Sequence, residues 1–172
     1  MAVVWPQHVE RVAAFLREAG AEGRLEELGE DVLKPEEAAE AIGCSLHQIV
    51  ECRGFVCDGR PVVVLVPASR RPDARKLARA MRAEHTRAAR PDELVAMTGF
   101  PPETVSPFPS TGSAPAVGEQ TLLALRLVWV SAGSPRHVVA LAPSELFRLA
   151  RADPMDVVEE PAYHSSPDRA AS

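Results

Sequence analysis

Apolar positions along the first part of the chain recur at helical spacing and then at strand spacing. Val9, Val12, Ala13 and Leu16 lie three and four apart between His8 and Ala19, which predicts an amphipathic helix, and Gly20 is a natural left-handed stop. "GRLEELG" predicts a short edge strand. In "LKPEEAAEAIG", Pro35 opens a helix, Glu36 and Glu37 face the positive end of its dipole, and Gly43 ends it. Next, "HQIVECRGFVCDGRPVVVLVP", His47 to Pro67, places two β-rich runs on either side of Asp58-Gly59, the signature of a tight hairpin. Its second run, Val62 to Val66, is continuously apolar and predicts a central strand. Its first run carries Glu51 and Arg53 where the flanking apolar residues predict burial.

Beyond the hairpin, Ala74, Leu77, Ala78 and Met81 make one face of a helix, and Arg75, Arg79 and Arg82 make another. "RPDELVAMTG" has Pro91 at a helix start and Gly99 at its end. The five prolines of "FPPETVSPFPSTGSAP" can neither continue a helix nor donate freely to a sheet, so a long structured loop follows, of a length that is usually functional or disordered. A short helical segment near Glu119 to Ala124, a strand in "LRLVWVSAG", a second strand in "HVVALA" and a helix from Pro143 in "PSELFRLAR" complete the order. Hairpins interleaved with short helices predict a mixed α/β fold with helices around a mixed sheet. One domain, residues 1–160, is expected, with an apolar-poor and disordered tail at 161–172.

The composition, 46% hydrophobic and 25% charged over 172 residues, is that of an ordinary soluble domain. The opening "MAVVWPQHVERV" breaks before reaching signal-peptide length and no run approaches a membrane span, so a cytoplasmic location is expected, with no membrane partner. Cys44, Cys52 and Cys57 lack zinc or redox spacing and read as reduced, buried thiols. A formal net charge of −5 argues against general nucleic-acid affinity. The sum conceals a basic region, however. Arg70, Arg71, Arg75, Lys76, Arg79, Arg82, Arg87 and Arg90 stand against only Asp73 and Glu84, while acids gather in "EAGAEGRLEELGEDVLKPEEAAE" and "DPMDVVEEP". That pattern fits contact with one end of a nucleic acid, through Arg71, Arg75, Lys76, Arg79 and Arg82. A merely solvated helix face is the alternative.

Neither a dinucleotide nor a triphosphate glycine loop occurs, and no cofactor is expected. His8, His47, His85, His137 and His164 have no metal spacing, so no metal site is expected. No GxSxG elbow surrounds a serine, and no nucleophile with a base and an orienting acid is evident.

Four segments, "AAEAIGCSLHQIV", "VVVLVPASRRPDARKLARAM", "ARPDELVAMTGFPPETVSP" and "VWVSAGSPRHVVALAPSEL", together resemble the YbaK/aminoacyl-tRNA synthetase-associated domain family, relatives of the editing insertion of bacterial prolyl-tRNA synthetases. The resemblance runs from about Lys34 to Val158. It implies a barrel-like mixed sheet ringed by short helices, and hydrolysis in trans of the ester joining a wrong amino acid to the 3′ end of tRNA. The partners it implies are the aminoacylated tRNA acceptor end and an aminoacyl-tRNA synthetase. In that family a lysine on the first hairpin strand and a GxxxP loop line the pocket; the loop amides hold the aminoacyl carbonyl and the ribose hydroxyl of the tRNA assists the water, so no side-chain nucleophile is needed.

The resemblance marks Thr98, Gly99, Ser106, Pro107, Gly133, Ser134 and His137 as matching or pocket-side positions, and three departures accompany them. "QIVE" places Glu51 at the lysine position, where a carboxylate repels the tRNA backbone by about 1 kcal/mol or more at short range. "ETVSP" replaces the glycine-rich loop, so Glu103, Thr104 and Val105 restrict a backbone that glycine would leave free. Glu119 stands where relatives carry an aspartate. Glu51 then reads either as a group that binds the substrate's α-ammonium or activates water, or as an edge-strand acid paired with Arg53. At the level of function, an editing deacylase with altered pocket chemistry stands beside a catalytically inactive module that binds an aminoacyl or nucleotide ligand or a protein partner.

Overall fold

The computed structural model describes residues 4–110 and 112–161; the expected tail, from residue 162 onward, lies outside the described residues. In chain order the elements are α1 (Gln7–Glu18), β1 (Arg24–Glu27), α2 (Pro35–Ile42), β2 (Val50–Cys57), β3 (Arg60–Pro67), α3 (Ala74–Met81), β4 (Thr86–Ala88), α4 (Pro91–Thr98), β5 (Ala116–Glu119), β6 (Val128–Ser134), β7 (His137–Leu141), α5 (Pro143–Ala150) and β8 (Ala152–Met155). Short 3-10 turns occupy Leu46–Gln48 and Gln120–Ala124.

Turn chemistry sets the boundaries. Asp58 and Gly59 adopt φ of 49° and 79°, the positive values a two-residue hairpin demands. Gly43 and Gly99 end α2 and α4 in the left-handed conformation, with Pro35 and Pro91 in the first turns. Asp73 caps α3 by accepting from the N–H groups of Arg75 and Lys76 at 2.9 and 3.2 Å.

The strands form two sheets, β1-β7-β6 and β4-β2-β3-β5-β8. β2 and β3 pair antiparallel without a break, whereas β5 joins β3 and β8 in parallel. The barrel-like closure implied by the resemblance is not present. Between the described strands of the two sheets the one ladder contact is a parallel bridge from Ile49 to Trp129, and the sheets otherwise face each other across a shared core. Val63 and Leu65 of β3, Val128 and Val130 of β6, and Val139 and Leu141 of β7 meet there with Val12 and Leu16 of α1, Leu146 and Phe147 of α5, Phe100 and Phe108.

Strand alternation sends the remaining residues to the outer faces. On the larger sheet, Phe55, Cys57, Val62, Val64 and Val66 carry Leu77 of α3 with Val157 and Val158. On the smaller sheet, Trp129, Val138 and Ala140 carry Ala38 and Ala39 of α2. β4, β5 and β8 were not foreseen as strands. Each is three or four residues long, too short for alternation to be visible.

Candidate functional site

β4 covers only the second half of β2, pairing with Phe55 to Cys57. The first half therefore has an open edge, and beside it the two sheets diverge from the Ile49–Trp129 bridge. A cavity of about 450 Å³ fills this seam. Residues 50–55 of β2, Lys34, Pro35 and Ala38 at the start of α2, Leu94 of α4, the loop residues Pro102 to Val105, and Trp129 to Ser131, Ser134, Pro135, His137 and Val138 of the β6–β7 hairpin line it.

Six of the residues expected from sequence meet here: Glu51, Glu103, Thr104, Val105, Ser134 and His137. Glu51 bonds to its strand neighbour, Arg53 Nε donating to Glu51 Oε2 at 2.8 Å, so the pairing considered from sequence is formed on the cavity wall. Ser134 Oγ lies 2.6 Å from His137 Nδ1 and also accepts from the N–H of Arg136 at 3.1 Å. Burial lowers the pKa of His137, with Glu27, opposite it on β1, acting in the other direction. Burial thus favours the neutral imidazole, whose tautomer sets which of the Ser134 hydroxyl and Nδ1 donates to the other. Trp5 meets the same ring edge-on at 5.3 Å.

The loop is held from inside. Thr104 donates its N–H to Pro101 O at 3.1 Å and its hydroxyl to Gly133 O at 3.4 Å, and Val105 and Phe108 sink into the core. Glu103 alone of "ETVSP" is exposed, at the cavity mouth. Glycine freedom is thus replaced by side-chain anchoring of the backbone.

Six other expected residues stand elsewhere. Thr98, Ser106 and Pro107 line a separate small void of about 20 Å³; Thr98 bonds back to Leu94 O at 2.8 Å and Ser106 to Phe108 O at 2.8 Å. Gly99 is the end of α4, its carbonyl receiving Arg11 at 3.0 Å. Gly133, with φ of 96°, packs between His8 and Phe100, where a Cβ would come within 3.0 Å of both. Glu119 is 1% exposed and accepts from the N–H groups of Thr121 and Val157 at 2.9 and 3.1 Å, a structural role joining the 3-10 turn to the strand end.

In the basic region, Lys76 is already paired: its ammonium bonds to Asp156 at 2.9 Å and Glu160 at 2.7 Å, which raise its pKa. Arg71, Arg75, Arg79 and Arg82 are exposed, with no ion pair among the described residues.

Sequence reasoning did not place Lys34, Trp129 or Ser131 at the site. Their segments are brought to β2 by tertiary packing alone, and only the lysine before Pro35 carried a visible signal. Cys52 also lines the cavity, but burial pushes its thiol up to about 12, which makes it unreactive at neutral pH. No group of three metal-binding side chains occurs among the described residues, and no described helix is long and apolar enough to cross a membrane.

This architecture has known counterparts. The model of the aminoacyl-tRNA editing domain matches residues 29–149, and the chain belongs to that family. A crystal structure described as a candidate trans-editing enzyme for prolyl-tRNA synthetase is 30% identical, with a TM-score of 0.84, over 91% of this chain and 100% of that one. A scaffold protein used for grafting linear epitopes is 27% identical with a TM-score of 0.83 over the same shares, 91% and 100%. A hypothetical protein is 25% identical with a TM-score of 0.81, over 87% of this chain and 99% of that one. No curated protein sequence matches the chain.

Proposed function

We propose that the protein is an aminoacyl-tRNA deacylase that acts in trans, freeing tRNA from an amino acid that does not belong on it. The observation that supports this most directly is convergence. Glu51 of β2, Glu103 to Val105 of the loop, and Ser134 with His137 of the β6–β7 hairpin come from three separated segments that the family resemblance marks, and they face one cavity. Similarity to the candidate trans-editing enzyme for prolyl-tRNA synthetase points to tRNA of the proline system carrying alanine, serine or cysteine. In this reading the cytoplasm is where the protein meets its substrate.

The reaction joins a water oxygen to the acyl carbon and returns the ribose 3′ oxygen as a hydroxyl. Negative charge gathers on the acyl oxygen in the transition state, and fixed N–H donors stabilise it without reorganising. With the Thr104 N–H given to Pro101, the N–H groups of Glu103 and Val105, uncommitted among the described residues, are the loop donors available. Glu51 keeps one carboxylate oxygen for the substrate's α-ammonium or the attacking water, its other oxygen being bonded to Arg53. Arg71, Arg75, Arg79 and Arg82 face solvent and are open to contact with the acceptor arm.

A second reading, a binding module without catalysis, has one observation in its favour: the carboxylate at position 51 is already satisfied by Arg53. Single-turnover deacylation across a panel of mischarged tRNAs separates the two. Release of amino acid from at least one member above the buffer rate supports the deacylase; an inert panel with retained tRNA binding supports the module.

A further inference from the structure

Arg53 and Glu51 stand two residues apart on β2, so both side chains leave the same face of the strand. The ion pair uses only Nε of the guanidinium, at 2.8 Å. Nη1 and Nη2 have no acceptor among the described residues, and the Arg53 side chain is 53% exposed at the cavity wall. A guanidinium held through Nε presents its two terminal nitrogens as a fixed fork, the geometry that matches phosphate oxygens.

The surroundings give that fork a direction. Glu51 pairs with Val66 and Arg53 with Val64 across the sheet, and those two valines help carry Leu77 of α3. Arg53 and the basic helix therefore share one side of the larger sheet. Lys34, also on the cavity wall and without an ion pair among the described residues, adds a second cation. An anionic chain reaching the cavity from that side of the sheet would meet Arg53 on its wall.

We propose that Arg53 is the phosphate-binding residue of this cavity, receiving the last phosphate of a nucleic acid 3′ end through Nη1 and Nη2, with Glu51 as the positioning residue that orients it. The substrate's identity rests on the deacylase reading; the role of Arg53 does not require that the ester be broken. Glu51 thus acts on the phosphate through a bound cation, which removes the conflict of sign at that position.

The test is binding of a minihelix RNA bearing an amide-linked, hydrolysis-resistant 3′ alanine, titrated between about 50 and 200 mM salt, a range in which each phosphate contact is legible as slope. Each variant is first checked by thermal melting. Arg53→Ala is expected to weaken binding about tenfold and to reduce the salt slope by about 0.7–0.9, the share of one phosphate contact. Arg53→Lys keeps the slope and recovers part of the affinity. Glu51→Lys added to Arg53→Ala restores the slope, because it returns a cation to the same strand face. Wild-type affinity and slope in Arg53→Ala overturn the proposal, whatever the wild type does to an ester. Loss of binding in Arg53→Ala from a protein that hydrolyses no ester sustains it and rejects the deacylase reading. A wild type that does not bind the analogue overturns both.

Discussion

Ser134 Oγ and His137 Nδ1 approach to 2.6 Å across the turn that joins β6 to β7, and both residues face the cavity. A serine beside a histidine invites comparison with a nucleophile and its base, but the serine oxygen also accepts from Arg136 N, which ties it to the turn. Burial keeps the histidine below its ordinary value, so the folded protein takes up this proton less readily than the unfolded chain does. Its contribution to stability is complete above the unfolded histidine value of about 6.5 and declines as pH falls from there toward the lowered folded value. Thermal melting between pH 7.5 and 5 should show wild type losing stability on the acid side, with a shallower loss in His137→Asn. Equal slopes would show that this ring does not govern the acid limb.

Glu119 provides a clean separation of structure from chemistry. Glu119→Ala leaves the N–H groups of Thr121 and Val157 without their acceptor, at a cost of about 2–4 kcal/mol. Urea denaturation should report that loss, while deacylation per folded molecule stays at the wild-type rate. A large drop in rate with unchanged stability would return Glu119 to the site.

Gly118 is required by packing. A Cβ there would fall 2.6 Å from the ring of Phe147, so Gly118→Ala forces the ring or β5 to move and should destabilise the protein by about 1–3 kcal/mol. Pairing it with Phe147→Leu, which makes room, should recover part of the loss. A double variant no more stable than Gly118→Ala would place the strain elsewhere.

Those two residues also mark where sequence reading reaches its limit. Asp58-Gly59, Gly43 and Gly99 declared their turns because a positive φ is a local demand, met by the residue itself. The valine run of β3 declared a central strand for the same kind of reason. β5, by contrast, is four residues held in parallel by β3 and β8, and neither neighbour is near it in sequence. The core-facing side of the "ETVSP" loop is equally hidden: Ser106 reads equally as a pocket hydroxyl or a loop cap, and packing shows it closing its own turn by bonding to Phe108 O. Family resemblance located the cavity's β2 strand, loop and hairpin. Only tertiary packing showed that Lys34 and Trp129 complete the wall and that Glu51 is not a lone charge.

The loop's inner anchor can be probed directly. Thr104→Val removes the hydroxyl that reaches Gly133 O at 3.4 Å while keeping the side chain's volume and branching. The bond is long, so the expected loss of stability is about 1 kcal/mol or less. The deacylation rate should fall further, by about tenfold, because loop donors displaced from the ester carbonyl stabilise the developing charge poorly. A rate that falls only in proportion to stability would remove the loop from the mechanism.

In the proposed reaction, the ester is broken in the cavity at the seam of the two sheets. Glu103 is exposed at its mouth, so Glu103→Trp can obstruct entry without disturbing the core. The decisive measurement is single-turnover release of alanine from tRNA of the proline system by wild type and Glu103→Trp, at matched folded concentration. Hydrolysis by the wild type, slowed at least about tenfold by the tryptophan, is the predicted result, corresponding to a barrier raised by about 1.4 kcal/mol or more. Equal rates in the two proteins would place the chemistry outside this cavity.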